Sequence, residues 1–179
     1  MEKDKLMRKE VEIKEGAEVR LEGNIIIVNG AKGIIEKRLA YPGINFQIKD
    51  KKIILTSKKP SKHSKRILGT FAAHINNLIL GVTQGYIYKL KICSGHFPMK
   101  VTVGNNEVTI SNFLGEKIPR KARILDGTTA KLDGDIIIVE GLDKELVGQT
   151  AGNIELATRI TNRDRRVFQD GCYLISKGE

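Results

Sequence analysis

Short segments in which apolar and polar residues alternate run through the first part of the chain, and this period of two is typical of half-buried β-strands. The alternating segments are residues 11–13, 19–21, 44–48 and 53–55, and an apolar run at 25–28 predicts a central strand. Turns are expected at Gly16, at Asn29-Gly30 and at residues 50–52. The pattern therefore predicts a group of antiparallel strands.

A helical period follows these strands. Pro60 and Ser61 close the strand region, and a helix is predicted from about Ser64. Its apolar face consists of Leu68, Ala72, Ile75 and Ile79. Gly81 and Gly85 then end the helical pattern and allow the backbone to turn.

The second part of the chain repeats this order. Strands are predicted at 86–92, 101–103, 108–110 and 136–139, with weaker candidates at 122–125 and 129–132. Asp143 suits the N-cap of a second helix, because its carboxylate can accept from the unpaired backbone N–H groups there. The face of that helix consists of Val147, Ala151, Ile154 and Thr158.

The two parts align as copies of one unit. The aligned pairs are Val19 with Val101, Leu21 with Val103, Asn24 with Asn106, Gly33 with Gly115, Arg38 with Arg120, Asp50 with Asp133, Ile53 with Ile136, Gly69 with Gly148, Ala72 with Ala151 and Ile75 with Ile154. Chance similarity of aliphatic strands is the alternative, because apolar runs match easily. The prediction is an α+β fold made of two tandem copies of a small antiparallel sheet plus one helix, in residues 1–82 and 83–179.

Composition and charge indicate the class of partner. Apolar residues make up 40% of the chain and charged residues 29%, as in ordinary soluble domains, and no apolar run is long enough to cross a bilayer. The N-terminus has no signal-peptide stretch, so the cytoplasm is the expected location. The 31 basic residues exceed the 21 acidic ones, and the net charge of +10 favours a polyanionic partner, most often nucleic acid.

Three basic groups are candidate RNA contacts. The first group is Lys58, Lys59, Lys62, Lys65 and Arg66; the second is Lys117, Arg120, Lys121 and Arg123; the third is Arg159, Arg163, Arg165 and Arg166. Lysines suit phosphate contacts, which need charge and little geometry. A solvated loop is a nearly equal alternative for the lysines of the first group.

The third group gives the sharper signal. Arg159, Arg163 and Arg166 would share one face of any helix that continued through them. Guanidinium groups bind phosphates through two hydrogen bonds and stack on bases. Phe168 and Tyr173 lie just beyond, and this mixture of arginines and aromatic rings suits structured RNA.

The chain offers little for metal or cofactor chemistry, and no cofactor is expected. No nucleotide-binding glycine motif or serine nucleophile motif is present. Cys93 and Cys172 lack a Cys-x-x-Cys partner and are predicted to be small buried side chains. Asp126, Asp133 and Asp135 could hold a divalent metal in a nuclease, but the glycine that follows each of the first two favours turns.

Several short motifs make the chain similar to a known family. They are Gly69-Thr-Phe-Ala-Ala-His74, Gly81-Val-Thr-Gln-Gly85, His96-Phe-Pro98, Asn112-Phe-Leu-Gly-Glu-Lys117, Val147-Gly-Gln-Thr-Ala151 and Arg166-Val-Phe-Gln-Asp-Gly171. On these motifs the chain resembles the universal large-subunit ribosomal protein family that is called L-six in bacteria and L-nine in eukaryotes. The last motif is of the archaeal and eukaryotic type, and the chain looks most archaeal.

The resemblance implies two duplicated α+β domains, no enzymatic activity, and a structural role in the large ribosomal subunit. It implies binding to large-subunit ribosomal RNA near the factor-binding region and the sarcin–ricin loop, mainly through the second domain and its C-terminal segment. Neighbouring ribosomal proteins are implied partners, with translation factors nearby, and no membrane or small-molecule substrate is implied. The implied RNA contacts are Arg159, Arg163, Arg166, Phe168, Asp170, Gly171 and Tyr173.

The chain departs from the family pattern at two positions. Leu156 stands where glutamine is usual, so a family hydrogen bond there is lost, and Cys172 stands where an aliphatic side chain is usual. Two other functions remain open. One is a free-standing RNA-binding or RNA-chaperone module of the same fold, and the other is the metal nuclease described above.

Overall fold

The computed structural model describes residues 7–58 and 61–178, so the predicted RNA contact Lys59 and the predicted strand breaker Pro60 lie outside the described residues. The chain divides into two compact units, of which one ends at Gln84 and the other begins at Gly85. In the two described ranges, no helix has both the length and the apolar character needed to cross a membrane.

In its described residues, the first unit contains six strands and one helix. Its elements are β1 (Met7–Glu12), β2 (Ala17–Glu22), β3 (Ile25–Gly30), β4 (Gly33–Arg38), β5 (Ile44–Lys49), β6 (Lys52–Ser57) and α1 (Lys62–Thr83). The strands form two antiparallel sheets, with the orders β2-β3-β4 and β1-β6-β5. The side chain of Ser61 accepts a hydrogen bond from the backbone N–H of Ser64, so the helix begins two residues before the predicted start.

The predicted face of α1 is the face that packs on the sheets. Leu68, Ala72, Ile75 and Ile79 are all buried, and they form one core with the buried strand residues. Full burial of one large aliphatic side chain stabilises a fold by roughly 1.5–3 kcal/mol, so this helical stripe accounts for much of the stability of the unit.

The second unit contains seven strands, one helix and a short 3₁₀ turn at Phe113–Gly115. Its elements are β7 (Tyr86–Cys93), β8 (Lys100–Val103), β9 (Glu107–Ser111), β10 (Arg120–Arg123), β11 (Thr128–Asp133), β12 (Ile136–Gly141), α2 (Lys144–Ala157) and β13 (Gly171–Lys177). The sheet orders are β10-β9-β8 and β11-β12-β7-β13. Asp143 is the N-cap of α2, as predicted, and its carboxylate accepts from the backbone N–H of Glu145 at 2.8 Å.

The two units share one topology, which confirms the α+β fold of two tandem copies. Strands β2, β3 and β4 correspond to β8, β9 and β10, and β1, β5 and β6 correspond to β7, β11 and β12. The second unit differs by β13, which pairs with the edge of β7 that faces away from β12. Neither β4 nor β13 is predicted from the sequence.

The alignment of the two copies is wrong by one residue in one hairpin. Ile53 and Leu55 are buried in β6, whereas the buried residues of β12 are Ile137 and Val139. Ile53 therefore corresponds to Ile137 and not to Ile136. Because neighbouring side chains of a strand point to opposite faces, the predicted alignment would exchange the buried and the exposed face.

A longer connection in the second unit makes a second part of the alignment wrong. Residues 112–119 join β9 to β10, whereas a two-residue turn joins β3 to β4. Arg38 corresponds to Arg123, because each is the last residue of its strand and pairs with the first residue of the neighbouring strand. The predicted matches of Gly33 with Gly115 and of Arg38 with Arg120 are therefore wrong.

The turn predicted at Asn29-Gly30 lies two residues later, at Ala31-Lys32. Gly30 is instead the last residue of β3, where an added Cβ would lie 2.7 Å from both the Cγ2 and the carbonyl oxygen of Val82. Glycine is needed there because the strand approaches α1 closely, and this close approach is not visible in the sequence.

Candidate nucleic-acid interface

The connection between α2 and β13 carries the third basic group, and it is not helical. Helix α2 ends at Ala157, and Asn162 has a φ of 58°, which a right-handed helix does not allow. The helical face predicted for Arg159, Arg163 and Arg166 is therefore wrong. A loop places these three side chains.

One end of this loop is fixed by Thr158. Its hydroxyl donates to the carbonyl oxygen of Glu155 at 3.1 Å and accepts from the backbone N–H of Cys172 at 2.9 Å. Thr158 is buried, so these bonds are shielded from water. They join the C-terminus of α2 to the first residues of β13.

The other end of the loop is fixed by Asp170, which is 2% exposed. Its carboxylate accepts hydrogen bonds from the backbone N–H groups of Gly95 and His96. Burial by itself raises the pKa of Asp170, but the two N–H donors and the adjacent His96 ring outweigh it, and the net pKa is lowered. Asp170 therefore holds the loop against the β7–β8 connection.

Gly171 is also buried, and the ring of Tyr173 lies next to the position that a side chain of residue 171 would take. Its φ is 154°, and an added Cβ would lie 3.2 Å from that ring. The Tyr173 hydroxyl lies 3.4 Å from the carbonyl oxygen of Asp170, and burial raises the pKa of this phenol. The Asp-Gly pair thus shapes the start of β13 and the position of the aromatic ring.

The loop carries a stack of a cation and two rings. The Arg163 guanidinium lies 4.9 Å from the centre of the Phe168 ring, and the His96 ring lies 4.9 Å from it as well. Phe168 also packs partly against the core of the unit, which fixes the stack in place. His96 is a part of this site that the residue patterns did not single out, although it belongs to the His96-Phe-Pro98 motif.

An open cleft of about 780 Å³ lies beside this stack. Its lining includes His96, Arg165, Arg166, Tyr173 and Cys93. Cationic and aromatic side chains thus meet around one concave surface, which is the combination that phosphates and splayed bases require. The structure therefore brings two of the four members of the third basic group, Arg165 and Arg166, together with the predicted aromatic Tyr173.

The two cysteines differ in how far they are buried. Cys172 is buried as predicted, and burial raises the pKa of its thiol to about 12. Cys93 is only half-buried and lines the cleft, so its predicted burial is wrong. The reason is its position as the last residue of β7, where the sheet no longer covers both of its sides.

Arg166 is held by a nearby acid of the same loop. Its Nε and Nη2 atoms lie 3.2 and 2.9 Å from the two carboxylate oxygens of Asp164, and its backbone N–H donates to Asp164 at 3.0 Å. The hydrogen bond to Arg166 lowers the pKa of the Asp164 carboxyl. The Arg166 side chain is nevertheless 91% exposed, so a phosphate can displace the Asp164 carboxylate.

Arg120 forms hydrogen bonds with other residues of its own unit. Two of its nitrogens bind the carboxylate of Glu116 at 2.8 and 2.6 Å, and a third donates to the carbonyl oxygens of Ala157 and Arg159. Its guanidinium also lies 4.3 Å from the centre of the Phe113 ring. Arg120 therefore caps the C-terminus of α2 and positions the loop, with few donors left for RNA.

The other members of the second basic group are exposed. Lys121 forms an ion pair with Glu107 at 2.8 Å, and Arg123 lies two residues further along β10. Lys117 lies in the connection between β9 and β10. The hydrogen bond from Arg120 lowers the pKa of Glu116, and the charge of Arg163 adds to this lowering, so the second and third groups meet at this carboxylate.

The first basic group lies in the first unit. Lys62, Lys65 and Arg66 are in the first turns of α1, and Lys58 directly follows β6. Arg66 lies 3.4 Å from the Nδ1 atom of His63. The first turn of α1 contains no acidic residue, although acids are favoured there by the helix dipole.

The three aspartates of the nuclease hypothesis lie in and beside turns. Asp126 is the first residue of a turn, Asp133 ends β11, and Asp135 is in the turn that follows. Across residues 7–58 and 61–178, no three potential metal ligands come together. Leu156, which replaces the usual glutamine, is 60% exposed at the end of α2.

Comparison with known proteins gives the family. The sequence model of the family described as ribosomal protein L6 matches residues 13–85 and 97–171, one stretch for each copy of the repeat. The chain belongs to the ribosomal protein L6 family. This confirms the resemblance found from the motifs, and the family is one of structural, non-enzymatic proteins.

Two archaeal members of the ribosomal protein L6 family are similar over almost the whole chain. The protein of Methanococcus vannielii named large ribosomal subunit protein uL6 is 45% identical over 172 residues, which cover 96% of this chain and 94% of that protein. The protein of the same name from Methanospirillum hungatei is 46% identical over 169 residues, which cover 94% of this chain and 96% of that protein.

Proposed function

We propose that this chain is a structural constituent of the large ribosomal subunit, located in the cytoplasm within the ribosome, where it binds large-subunit ribosomal RNA. The two archaeal relatives carry the name of a large-subunit protein and match 96% and 94% of the chain. A net charge of +10 supports a polyanionic partner.

The stack of Arg163, Phe168 and His96 beside the open cleft is the observation that carries this proposal. A guanidinium held against an aromatic ring has lost much of its side-chain freedom before it meets RNA, so less entropy is lost on binding. The exposed His96 ring and the cations of the cleft can then receive a base and the flanking phosphates.

We divide the predicted site residues into two proposed roles. The proposed direct contacts in this unit are Arg159, Arg163, Arg165, Arg166, Phe168, Tyr173, Lys117, Lys121 and Arg123. Asp170 and Gly171 are buried, and Arg120 is bound to the protein's own oxygen atoms. These three act as positioning residues, which hold the loop in the conformation that RNA meets.

The proposed location on the RNA lies beside the sarcin–ricin loop and the factor-binding region. This finer assignment rests on the resemblance of the motif Arg166-Val-Phe-Gln-Asp-Gly171 to the family pattern. Neighbouring large-subunit proteins are then direct partners, and translation factors pass nearby.

Chemical footprinting of large-subunit ribosomal RNA with the purified chain, across a salt series, tests the proposal. We expect a compact protected region beside the sarcin–ricin loop that persists at moderate salt. The variant Phe168→Leu, which keeps the charge and an apolar side chain, should weaken this protection. Asn45→Ala, an exposed substitution on β5, is the matched control.

Weak, scattered protection that disappears steeply with salt would refute the proposal, because a protein of this charge binds RNA non-specifically in that way. Co-sedimentation with large subunits would give a second, independent readout.

A further inference from the structure

The first unit has an open sheet edge where the second unit has a strand. Strand β1 of the first unit is the equivalent of β7 in the second. Strand β13 covers the outer edge of β7, whereas no described strand pairs with the outer edge of β1. An unpaired edge presents a row of backbone donors and acceptors to which another extended chain can add.

A hydrogen bond repeated in both units defines which groups face that edge. Ile13 donates its backbone N–H to the carbonyl oxygen of Lys51 at 2.9 Å, and Ile92 donates to Asp135 at 2.8 Å in the second unit. Because backbone groups alternate sides along a strand, Arg8, Glu10 and Glu12 direct their N–H and C=O groups away from β6.

A cleft of about 400 Å³ lies along the same edge, between β1 and α1. It is lined by Met7, Arg8, Lys9, Lys65 and Leu68. Gly69 of α1 and Gly148 of α2 are equivalent positions of the two units. An added Cβ on Gly69 would lie 3.9 Å from the Lys9 ammonium, and an added Cβ on Gly148 would lie 3.7 Å from the Tyr88 ring. Lys9 therefore occupies the place of Tyr88, but it is exposed where Tyr88 is buried.

We propose that the outer edge of β1 binds an extended segment of a neighbouring protein as an additional strand, with a carboxylate side chain directed toward Lys9 and Lys65. The added strand would occupy the place that β13 occupies in the second unit. An apolar side chain next to the carboxylate would contact Leu68, in the cleft. This inference goes beyond RNA binding and does not depend on it.

The charges of the cleft select this partner over the alternatives. Three of the five lining residues are cationic, and since Arg8 is ion-paired with Glu10, it is Lys9 and Lys65 that favour a carboxylate there. A second copy pairing through its own β1 would offer Met7, Lys9 and Val11 on that face, and this would bury ammonium groups without a counter-charge. RNA phosphates can use the N–H groups of the edge, but its carbonyl oxygens and the carboxylates of Glu10 and Glu12 repel them.

The test uses the full chain without RNA and two short synthetic peptides of alternating valine and threonine. One peptide has a central glutamate on the face directed to the cleft, and the other has lysine at that position. Amide hydrogen exchange measured by NMR should slow about tenfold or more at Arg8, Glu10 and Glu12 with the glutamate peptide.

Two pairs of variants complete the design. Glu10→Pro removes an N–H that faces outward and should abolish peptide binding, whereas Glu10→Ala keeps this N–H and should not. Lys9→Glu should weaken binding of the glutamate peptide and strengthen binding of the lysine peptide. This charge reversal remains informative if the proline variant does not fold.

Four outcomes would overturn the proposal. They are no slowing of exchange with the glutamate peptide at millimolar concentration, equal binding of both peptides, protection of the edge by an oligoribonucleotide instead of a peptide, and protection by self-association at the same edge. All four outcomes are measured at β1 in the first unit, so they do not test RNA binding by the loop between α2 and β13.

Discussion

Asp170 has the sequence context of an RNA contact, yet its carboxylate faces the protein. The acid belongs to the motif Arg166-Val-Phe-Gln-Asp-Gly171, and the family resemblance is what implies an RNA contact there. In the structure it accepts from the backbone of the β7–β8 connection, more than seventy residues away. A residue so placed affects RNA binding only through the conformation of the loop.

Replacement of Asp170 by asparagine should lower the stability of the fold in a pH-dependent manner. The folded pKa is below the ordinary value of about 3.9, so the stabilising effect of the carboxylate is complete above that value and is lost as pH falls through the folded pKa. We expect a loss of about 1–2 kcal/mol at neutral pH, which shrinks below about pH 4.

Urea unfolding of the wild type and of Asp170→Asn across this pH range measures the effect. Asp126→Asn, at an exposed turn, should show no such difference. A stability difference that stays constant down to the lowest pH would contradict the assignment.

In the proposed RNA interface, Asp164 competes with RNA for Arg166. Asparagine at this position can still accept from the backbone N–H of Arg166, so the turn is kept while the charge is removed. Asp164→Asn should therefore raise RNA affinity about two- to fivefold at low salt and steepen its salt dependence. Filter binding across a salt series checks this, with Asp126→Asn as the control of equal charge change. Weaker binding would mean that the ion pair holds Arg166 in its binding position.

At the scale of elements, the N-terminus of α1 opposes its own helix dipole. Lys62, Lys65 and Arg66 bring positive charge to the end that favours negative charge, and the first turn has no acid to offset it. Such an arrangement is more easily understood if these side chains serve an anionic partner.

Lys62→Glu should therefore separate stability from binding. The helix should gain about 0.3–1 kcal/mol at low salt, because the carboxylate lies near the unpaired N–H groups, while RNA binding weakens. Thermal unfolding and RNA affinity measure the two effects. Lys49→Glu, at the exposed end of β5, gives the same change in net charge without a helix terminus. Equal effects of both variants on stability would contradict the prediction.

For the whole molecule, the charge excess and the shaped site lie in different units. Residues 1–85 carry 17 basic and 9 acidic residues, whereas residues 86–179 carry 14 and 12. The stack and the cleft nevertheless belong to the second unit. We infer that the arginines of the second unit give specific docking, and that the lysines of the first give salt-sensitive attraction.

Two sets of substitutions to glutamine test this division. Removal of Lys58, Lys62, Lys65 and Arg66 should lower the affinity and reduce the salt slope by about 0.7–0.9 per lost phosphate contact, with the footprint unchanged. Removal of Arg163, Arg165 and Arg166 should abolish the compact footprint. If the first set abolished specific binding and the second did not, the assignment would be reversed.

The strands and helices that are predictable from the sequence are those in which apolar residues recur at a regular spacing. The helical stripe of Leu68, Ala72 and Ile75 is confirmed by complete burial. In β4 the inward-facing positions include Gly33 and Lys37, so the alternation of apolar and polar residues is absent. In β13 four apolar residues stand in a row, and the pairing with β7 shifts between Leu174 and Ser176, which gives no period to recognise.

By itself the sequence determined the α+β class, the duplication, the helices with their buried faces and the family, because these follow from local periodicity and from motifs of adjacent residues. Only the tertiary structure decided that Phe168 meets His96, that Asp170 and Arg120 position the loop, and that β13 covers one sheet edge while no described strand covers β1. The physical reason is that these contacts join residues far apart in the chain, through close packing and buried hydrogen bonds whose geometry no short segment specifies.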